Sequence, residues 1–326
     1  MSSFAVDLSL ARSLPNYESA IKKRLRDASE IAKVQYEIYV SSLFVRCGHK
    51  PEFILQQKTR SPDLRLILND FEILIECTRR DAFQPTDPVG KRVFGSVSEP
   101  GTLCRQVTDL LKETEASHHI MIVSFGNLEI SSFTGILQEV TQRILSNEEG
   151  LFVNLKGLYG LGIYRMPQPS QEGDVQFSIP RGLNPACAFG TIAEDNQGRK
   201  YVKNPSMFSL YQFESHRLKS IISSFTDKRK QIPESGCGLL YIDIDVSHLH
   251  ENEVGTYLEI VSAVLKSQLT PSTNTRIGGV ILTTTPIFVE TQKDGLPFIT
   301  FHRRILVLCN SYLRLPKDFV IPREGD

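Results

Sequence analysis

The amino-acid sequence predicts an α/β protein, and three observations lead to that fold class. Apolar residues recur at helical spacing in some segments and alternate with a period of two in others. The two kinds of segment follow one another along the chain, which favours strands flanked by helices. The 326 residues are 40% hydrophobic and 23% charged, so the chain can bury a large core.

Composition indicates which partners and which cellular location to expect. Lys plus Arg and Asp plus Glu number 37 each, so a nucleic-acid partner would have to be recognised by local basic patches. No apolar run reaches the ~18 residues of a membrane span, and the first residues lack a signal-peptide pattern. We therefore expect a cytoplasmic protein with no membrane partner. The six cysteines form no Cys-x-x-Cys pair and are expected to be reduced.

The first helix is predicted from about Leu25 to Arg46, because apolar residues recur at helical spacing and Gly48 follows as a stop signal. Glu37 lies along a partly apolar stripe of this helix, so we expect its carboxylate to face inward. The basic residues of segment 22–26 are expected to form a solvated helix face, with phosphate contact as the alternative.

A strand within residues 51–58 and a hairpin over residues 61–80 are predicted next. Apolar residues alternate at 64, 66 and 68 and again at 71, 73, 75 and 77, and the polar pair Asn69 and Asp70 separates the two runs. This alternation is typical of half-buried strands that are joined by a tight turn.

The later elements continue the alternation. A long loop is expected over residues 81–101 and an irregular, partly hairpin-like insert over residues 167–205. Helices are predicted over 102–115, 132–145, 210–230 and 251–269, and strands over 119–125, 152–166, 238–245, 277–284 and 297–309. We divide the chain into a core of residues 1–166 with an N-terminal helix and a C-terminal α/β portion of residues 167–326. Whether that portion completes the same sheet is left open.

Acidic residues occupy unusual positions in the predicted hairpin. Asp63 opens its first strand, and Glu76 and Thr78 lie two apart near the end of the second, where strand alternation turns both to one side. Burying carboxylates is costly unless they bind a cation or a hydrogen-bonding partner. Together with Glu37, the two acids supply the oxygen ligands that Mg²⁺ prefers. Capping of the strands by these acids is the simpler alternative.

Segments 36–38, 61–63 and 75–78 resemble the motif of the PD-(D/E)XK nuclease superfamily. The resemblance covers roughly residues 25–125 and implies a restriction-endonuclease-like mixed sheet flanked by helices. It implies that Asp63 and Glu76 bind Mg²⁺ or Mn²⁺, and that Glu37 supports the ion or orients its water. The implied activity is hydrolysis of nucleic acid, DNA in preference to RNA, and a homodimer is left open.

The chain departs from the family pattern at one position. Thr78 stands where the family has lysine, and a hydroxyl can neither carry positive charge nor act as a general base at pH 7. Lys58 is our preferred substitute, with Arg80 and Lys112 as alternatives, so the expected catalytic residues are Glu37, Asp63, Glu76, Thr78 and Lys58. The departure also motivates a second hypothesis, an inactive nuclease-like protein that binds nucleic acid or a protein partner.

Two further groups carry weaker signals. Asp243, Asp245, His248 and His250 alternate at the end of a predicted strand and suggest a second metal site, although residues that cap a strand are the favoured interpretation. Residues 228–230 end a predicted helix and, together with Arg303 and Arg304, could follow a phosphate backbone if they share one face.

Overall fold

The computed structural model describes most of the chain. The described residues are 3–55, 61–80, 94–95, 100–113, 117–125, 133–156, 159–166, 187–194, 196–198, 200–213, 215–234, 236–244, 246, 251–269, 276–284, 287–293, 296–303, 305–310, 315–316 and 319–322. None of the helices among them has the length and apolar character that a bilayer span requires.

Helices and strands alternate along the chain as the sequence predicts. The helices are α1 (Ser3–Ala11), α2 (Ile31–Arg46), α3 (Pro100–Glu113), α4 (Phe133–Leu145), α5 (Ser215–Arg229) and α6 (Glu251–Gln268). The strands are β1 (Glu52–Phe53), β2 (Leu64–Leu68), β3 (Phe71–Arg80), β4 (Phe94–Gly95), β5 (His118–Ser124), β6 (Gly150–Asn154), β7 (Tyr159–Arg165), β8 (Cys187–Glu194), β9 (Lys200–Phe213), β10 (Cys237–Ile244), β11 (Ile277–Thr284), β12 (Ile287–Lys293), β13 (Leu296–His302) and β14 (Ile305–Cys309).

The chain forms two compact units that are interleaved in sequence. The first contains Met1–Pro88, Ile221–His248 and Leu265–Asp326, and the second contains Val89–Ser220 and Leu249–Val264. From the sequence alone, we instead divide the chain once, into residues 1–166 and residues 167–326. Helical and strand periodicity reports local structure and carries no information on which distant segments pack together, so interleaving left no signal in it.

The first unit is built on a mixed sheet in the order β1-β2-β3-β10-β11-β14. β1, β2 and β3 form an antiparallel meander, β10 and β11 continue the sheet parallel to β3, and β14 closes it antiparallel to β11. The face that carries Ile73, Ile75 and Cys77 packs against α2, and α1 packs on α2 in turn. β12 and β13 form a separate hairpin.

The hairpin of β2 and β3 agrees with the sequence prediction. Leu64 pairs with Ile75 and Leu68 with Phe71, and Asn69 adopts a φ of 54° in the turn. Asparagine tolerates this left-handed conformation because its short side chain can bond to the nearby backbone. The register therefore places the alternate residues of β3 on the two faces of the sheet as expected.

The second unit holds a mixed sheet in the order β4-β9-β5-β7-β6, with β8 paired to β9. α3 and α4 pack on this sheet through a core that includes Val107, Ile122, Ile136 and Leu161. This unit therefore buries its own hydrophobic core.

Several predicted boundaries are wrong. Residues 210–213 belong to β9 instead of the predicted helix, because β9 pairs in parallel with β5, a long-range pairing that local periodicity does not report. Residues 297–309 form two strands separated at Arg303, and β12 was not predicted. The predicted loop 81–101 contains β4 and the first residues of α3, and its other residues lie outside the described ones.

Candidate active site

Asp63 is fixed at the junction of β1, β2 and β3. Its backbone nitrogen donates to the Ile75 carbonyl oxygen at 3.1 Å, and its carbonyl oxygen accepts from the Ile54 nitrogen at 2.9 Å. Its side-chain Oδ2 accepts from the Cys77 nitrogen at 2.9 Å, and the residue is only 7% exposed. The hairpin register thus holds one carboxylate oxygen and leaves Oδ1 for another partner.

Glu76 lies on β3, and its carboxyl group is contacted by Lys228 in α5 and by Gln231, which follows that helix. Lys228 Nζ donates to Glu76 Oε1 at 2.5 Å. With the Gln231 amide turned so that both its ends are satisfied, its nitrogen donates to Glu76 Oε2 at 3.0 Å and to the Ser61 carbonyl oxygen at 2.8 Å. The Glu76 carboxylate is 1% exposed, so these groups replace water around it.

Glu37 faces inward from α2, as its apolar stripe predicts. Arg24 donates to both of its carboxylate oxygens, through Nη1 at 2.8 Å and Nη2 at 2.9 Å. Lys33, one helical turn before Glu37, places Nζ 3.7 Å from Glu37 Oε1 and 3.6 Å from Asp63 Oδ1. A single ammonium group therefore bridges the helix carboxylate and the strand carboxylate.

Arg24 corrects one sequence expectation. The other basic residues of segment 22–26 are exposed, as predicted. The Arg24 side chain, in contrast, is 17% exposed and pairs with Glu37 and Glu30. A π-helical turn at Glu18–Lys22 and a 3₁₀ turn at Arg24–Arg26 precede α2 in place of a continuous helix. These turns direct the Arg24 guanidinium inward.

Burial and mutual repulsion perturb the carboxylates of this cluster. Burial raises the pKa of Glu37 to about 7 and that of Glu76 to about 9, and the negative charge of Asp63 adds to both shifts. Burial lowers the pKa of Lys33, but attraction to Asp63 and Glu37 outweighs it, so the net shift is upward. Lys33 is therefore an ammonium ion at neutral pH.

The three carboxylates are matched by three cationic side chains, Arg24, Lys33 and Lys228. Among the described residues, no group of three His, Cys, Asp or Glu side chains is arranged to hold a metal ion. The carboxyl groups also have other partners, because both Glu37 oxygens are bonded to Arg24 and Glu76 is bonded to Lys228 and Gln231.

The donor chemistry nevertheless suits a hard divalent cation. Asp63 and Glu76 offer carboxylate oxygens, and burial, with the charge of Asp63 in second place, raises the pKa of both glutamates, so a cation that enters the cluster would be favoured there. The cationic partners of Asp63 and Glu76 are lysines, whose flexible stems can move without breaking the fold. Glu37 is held at both oxygens by Arg24 and fits a supporting position better than a ligand position.

The remaining predicted residues are distributed as follows. Thr78 is 6% exposed and shares its side of β3 with Glu76. Lys58 lies outside the described residues, as does the Arg80 side chain. Lys112 is exposed on α3, in the second unit.

Sequence reasoning missed the cations that contact the acids. Lys33 had a usable signal, because it lies four residues before Glu37 and such pairs share a helix face. Lys228 had none, because it is 152 residues from Glu76 in sequence.

Comparisons of the chain with protein-family models, with curated proteins and with solved structures find no significant match.

Proposed function

We propose that this protein is a metal-dependent nuclease of the PD-(D/E)XK type with a restriction-endonuclease-like first unit, acting on DNA. The observation that carries the proposal is a pair of buried acids, Glu37 on α2 and Asp63 before β2, that Lys33 bridges. The buried Glu76 on β3 is close enough to Asp63 for the two charges to interact. Buried carboxylates with raised pKa values are more frequent at functional sites than elsewhere.

The arrangement of elements supports the same proposal. In the first unit, α2 packs on the meander of β1, β2 and β3, which is the helix and three-strand order of the family core. The next strand in the sheet is β10, whereas β5, which lies within the segment that resembles the family, belongs to the other sheet. A second unit inserted between β3 and β10 accounts for this long separation.

The side chains of the cluster would have different chemical roles in the proposed reaction. Asp63 and Glu76 would hold Mg²⁺ or Mn²⁺, which lowers the pKa of a bound water and polarises a phosphoryl oxygen. Glu37 and Arg24 fix the position of Lys33. Because Lys33 is charged at neutral pH, it can stabilise negative charge that develops on a phosphate but cannot take a proton from water.

Lys228 is a second candidate for the cation that Thr78 does not supply. Its ammonium group contacts Glu76 from α5. The family instead places a lysine on the strand itself, two residues after the glutamate that corresponds to Glu76. A charged lysine there can approach the phosphate that a metal at Asp63 and Glu76 would bind.

The charge balance also favours a second candidate function, an inactive relative that binds nucleic acid or a protein. Each of the three acids has a cationic neighbour, so the cluster is a self-sufficient ion-pair network. Such networks also perturb pKa values, without any catalytic role.

Cleavage and metal binding, measured on the same preparations, discriminate between the two. Single-stranded, duplex and branched DNA and RNA are incubated with Mg²⁺ or Mn²⁺, and Mn²⁺ is titrated calorimetrically. We expect the wild type to bind Mn²⁺ and to cleave DNA, and Asp63→Asn and Glu76→Gln to lose both activities.

Glu72→Gln is the matched control, because Glu72 lies on the same strand with a side chain that is 49% exposed. It should keep both activities. A wild-type protein that binds no Mn²⁺ and leaves every nucleic acid intact would exclude the nuclease and favour the inactive relative.

A further inference from the structure

A second polar cluster lies at the carboxyl end of the parallel strands in the first unit. Arg79 on β3 pairs in register with Asp243 on β10, which pairs in turn with Thr283 on β11. Each of these residues is at or next to the end of its strand. In open α/β sheets, ligands bind outside the carboxyl ends of the strands.

Asp243 is the buried centre of this cluster. The residue is 1% exposed, and its Oδ1 accepts from Thr283 Oγ1 at 2.8 Å and from Arg303 Nη1 at 2.9 Å. Tyr36 from α2 shares a hydrogen bond of 2.8 Å with the Thr283 hydroxyl. Arg303 also donates to the Thr284 carbonyl oxygen at 2.8 Å, so its guanidinium is held in one orientation.

Arg79 is left with unused donors. Its Nε lies 3.8 Å from Asp243 Oδ2, which is too long for a hydrogen bond, and neither buried atom has a hydrogen-bond partner in the described part of the chain. The Arg79 and Arg303 side chains remain 28% and 18% exposed. Among the described residues, two guanidinium groups face one carboxylate at this edge of the sheet.

A buried ion cluster of this kind is weak evidence for stability, because apolar residues of similar volume often stabilise a fold as well or better. Arg79 and Glu76 point to opposite faces of β3, and among the described residues no hydrogen bond or ion pair joins this cluster to Glu37, Asp63 or Glu76. A role in binding a ligand is therefore worth testing for the two arginines.

We propose that Arg79 and Arg303 bind a phosphate group at this edge of the sheet, and that Asp243 is a positioning residue that holds both guanidinium groups. A planar guanidinium matches two phosphate oxygens, and a phosphodiester carries the single negative charge that would neutralise the cluster. The choice of a phosphodiester of nucleic acid, in preference to another singly charged anion, rests on the proposed function. The site itself needs neither a metal ion nor cleavage.

Binding measured in EDTA tests the site without metal-dependent cleavage. A short single-stranded oligodeoxynucleotide with a 5′-hydroxyl end is titrated at several salt concentrations into the wild type and into Arg79→Gln, Arg303→Gln and Arg79→Lys. Sodium phosphate is compared with sodium chloride at equal ionic strength by the shift in melting temperature. Arg65→Gln is the matched control, since Arg65 pairs with Glu52 and Glu72 on an exposed part of the same sheet.

We expect each glutamine variant to lose about tenfold in affinity for the oligonucleotide. The slope of log affinity against log salt should fall by about 0.7 for one lost phosphate contact. Arg79→Lys keeps the charge beside Asp243 and should keep the salt slope while losing affinity, a result that a merely structural arginine would not give. Arg65→Gln should match the wild type.

The outcomes separate this inference from the proposed nuclease activity. A response to phosphate alone, lost in the arginine variants, identifies a free phosphate group as the ligand and supports the site. Wild-type affinity and salt slope in the Arg79 and Arg303 variants, or a wild-type protein that binds neither probe, overturns it. A wild type that binds through these arginines but never cleaves DNA refutes the nuclease and leaves the phosphate site intact.

Discussion

The Glu76→Gln substitution in metal-free protein tests whether burial governs the candidate active site. The Glu76 carboxyl group is 1% exposed and faces Lys228 at 2.5 Å, yet burial and the charge of Asp63 raise its pKa from 4.5 to about 9. The folded protein should therefore keep this proton at neutral pH, whereas the unfolded chain releases it.

The sign and size of the effect follow from proton linkage. Between pH 4.5 and about 9 the folded state binds more protons at Glu76 than the unfolded state does, so this residue's contribution to stability falls as pH rises. The maximum slope is ~1.4 kcal/mol per pH unit, which gives about 3 kcal/mol between pH 5 and pH 7. Glutamine cannot titrate, so the variant should gain that amount relative to the wild type over this interval.

Urea unfolding of both proteins in EDTA at pH 5, 6 and 7 measures the difference in free energy of unfolding. Glu72→Gln controls for the loss of an exposed acidic side chain from the same strand. A Glu76→Gln difference that stays constant from pH 5 to pH 7 would refute the reasoning. It would mean that Lys228 holds Glu76 ionised throughout.

Three further substitutions probe the fold. Gly238→Ala should lower the free energy of unfolding by ~1–3 kcal/mol, because the new Cβ would lie 2.7 Å from Ile232 Cγ1. Gly135→Ala on α4 meets no atom within 4 Å and should instead stabilise the protein by up to ~1 kcal/mol. Tyr36→Phe removes the buried hydrogen bond to Thr283 and should cost about 1–2 kcal/mol. Urea denaturation measures all three, and an unchanged midpoint for Gly238→Ala or Tyr36→Phe would contradict the packing described for those sites.

Local patterns predicted much of the fold. The β2–β3 hairpin, its turn at Asn69, strand β11 and most of the helices lie close to their predicted positions, because period and turn residues are local properties of sequence. The parallel pairing of β3 with β10 joins segments about 160 residues apart in the chain, and no local pattern reports such a pairing. The same limitation concealed the interleaving of the two units.

Sequence patterns predicted the acids of the candidate site better than its cations. Glu37 and Glu76 were identifiable because a charged residue on an apolar stripe or strand is costly to bury and therefore conspicuous. A lysine on a helix surface is ordinary. Lys33 is marked in sequence only by its spacing from Glu37, and Lys228 becomes informative only when the fold brings its ammonium group to Glu76. Lys58 and the Arg80 side chain, which are nearer to Thr78 in sequence, lie outside the described residues and stay predictions.

A net charge of zero says little about this chain's partners, because the two clusters of the first unit distribute charge differently. Around the acids, Arg24, Lys33 and Lys228 each contact a carboxyl group, so a divalent cation can bind only by displacing or moving a lysine. At the strand ends, two guanidinium groups face one carboxylate among the described residues, and Arg79 Nε has no hydrogen-bond partner there, so the proposed anion would meet a donor that is already available. Phosphate affinity should therefore survive removal of metal, and metal affinity should depend on how readily the lysines leave Asp63 and Glu76.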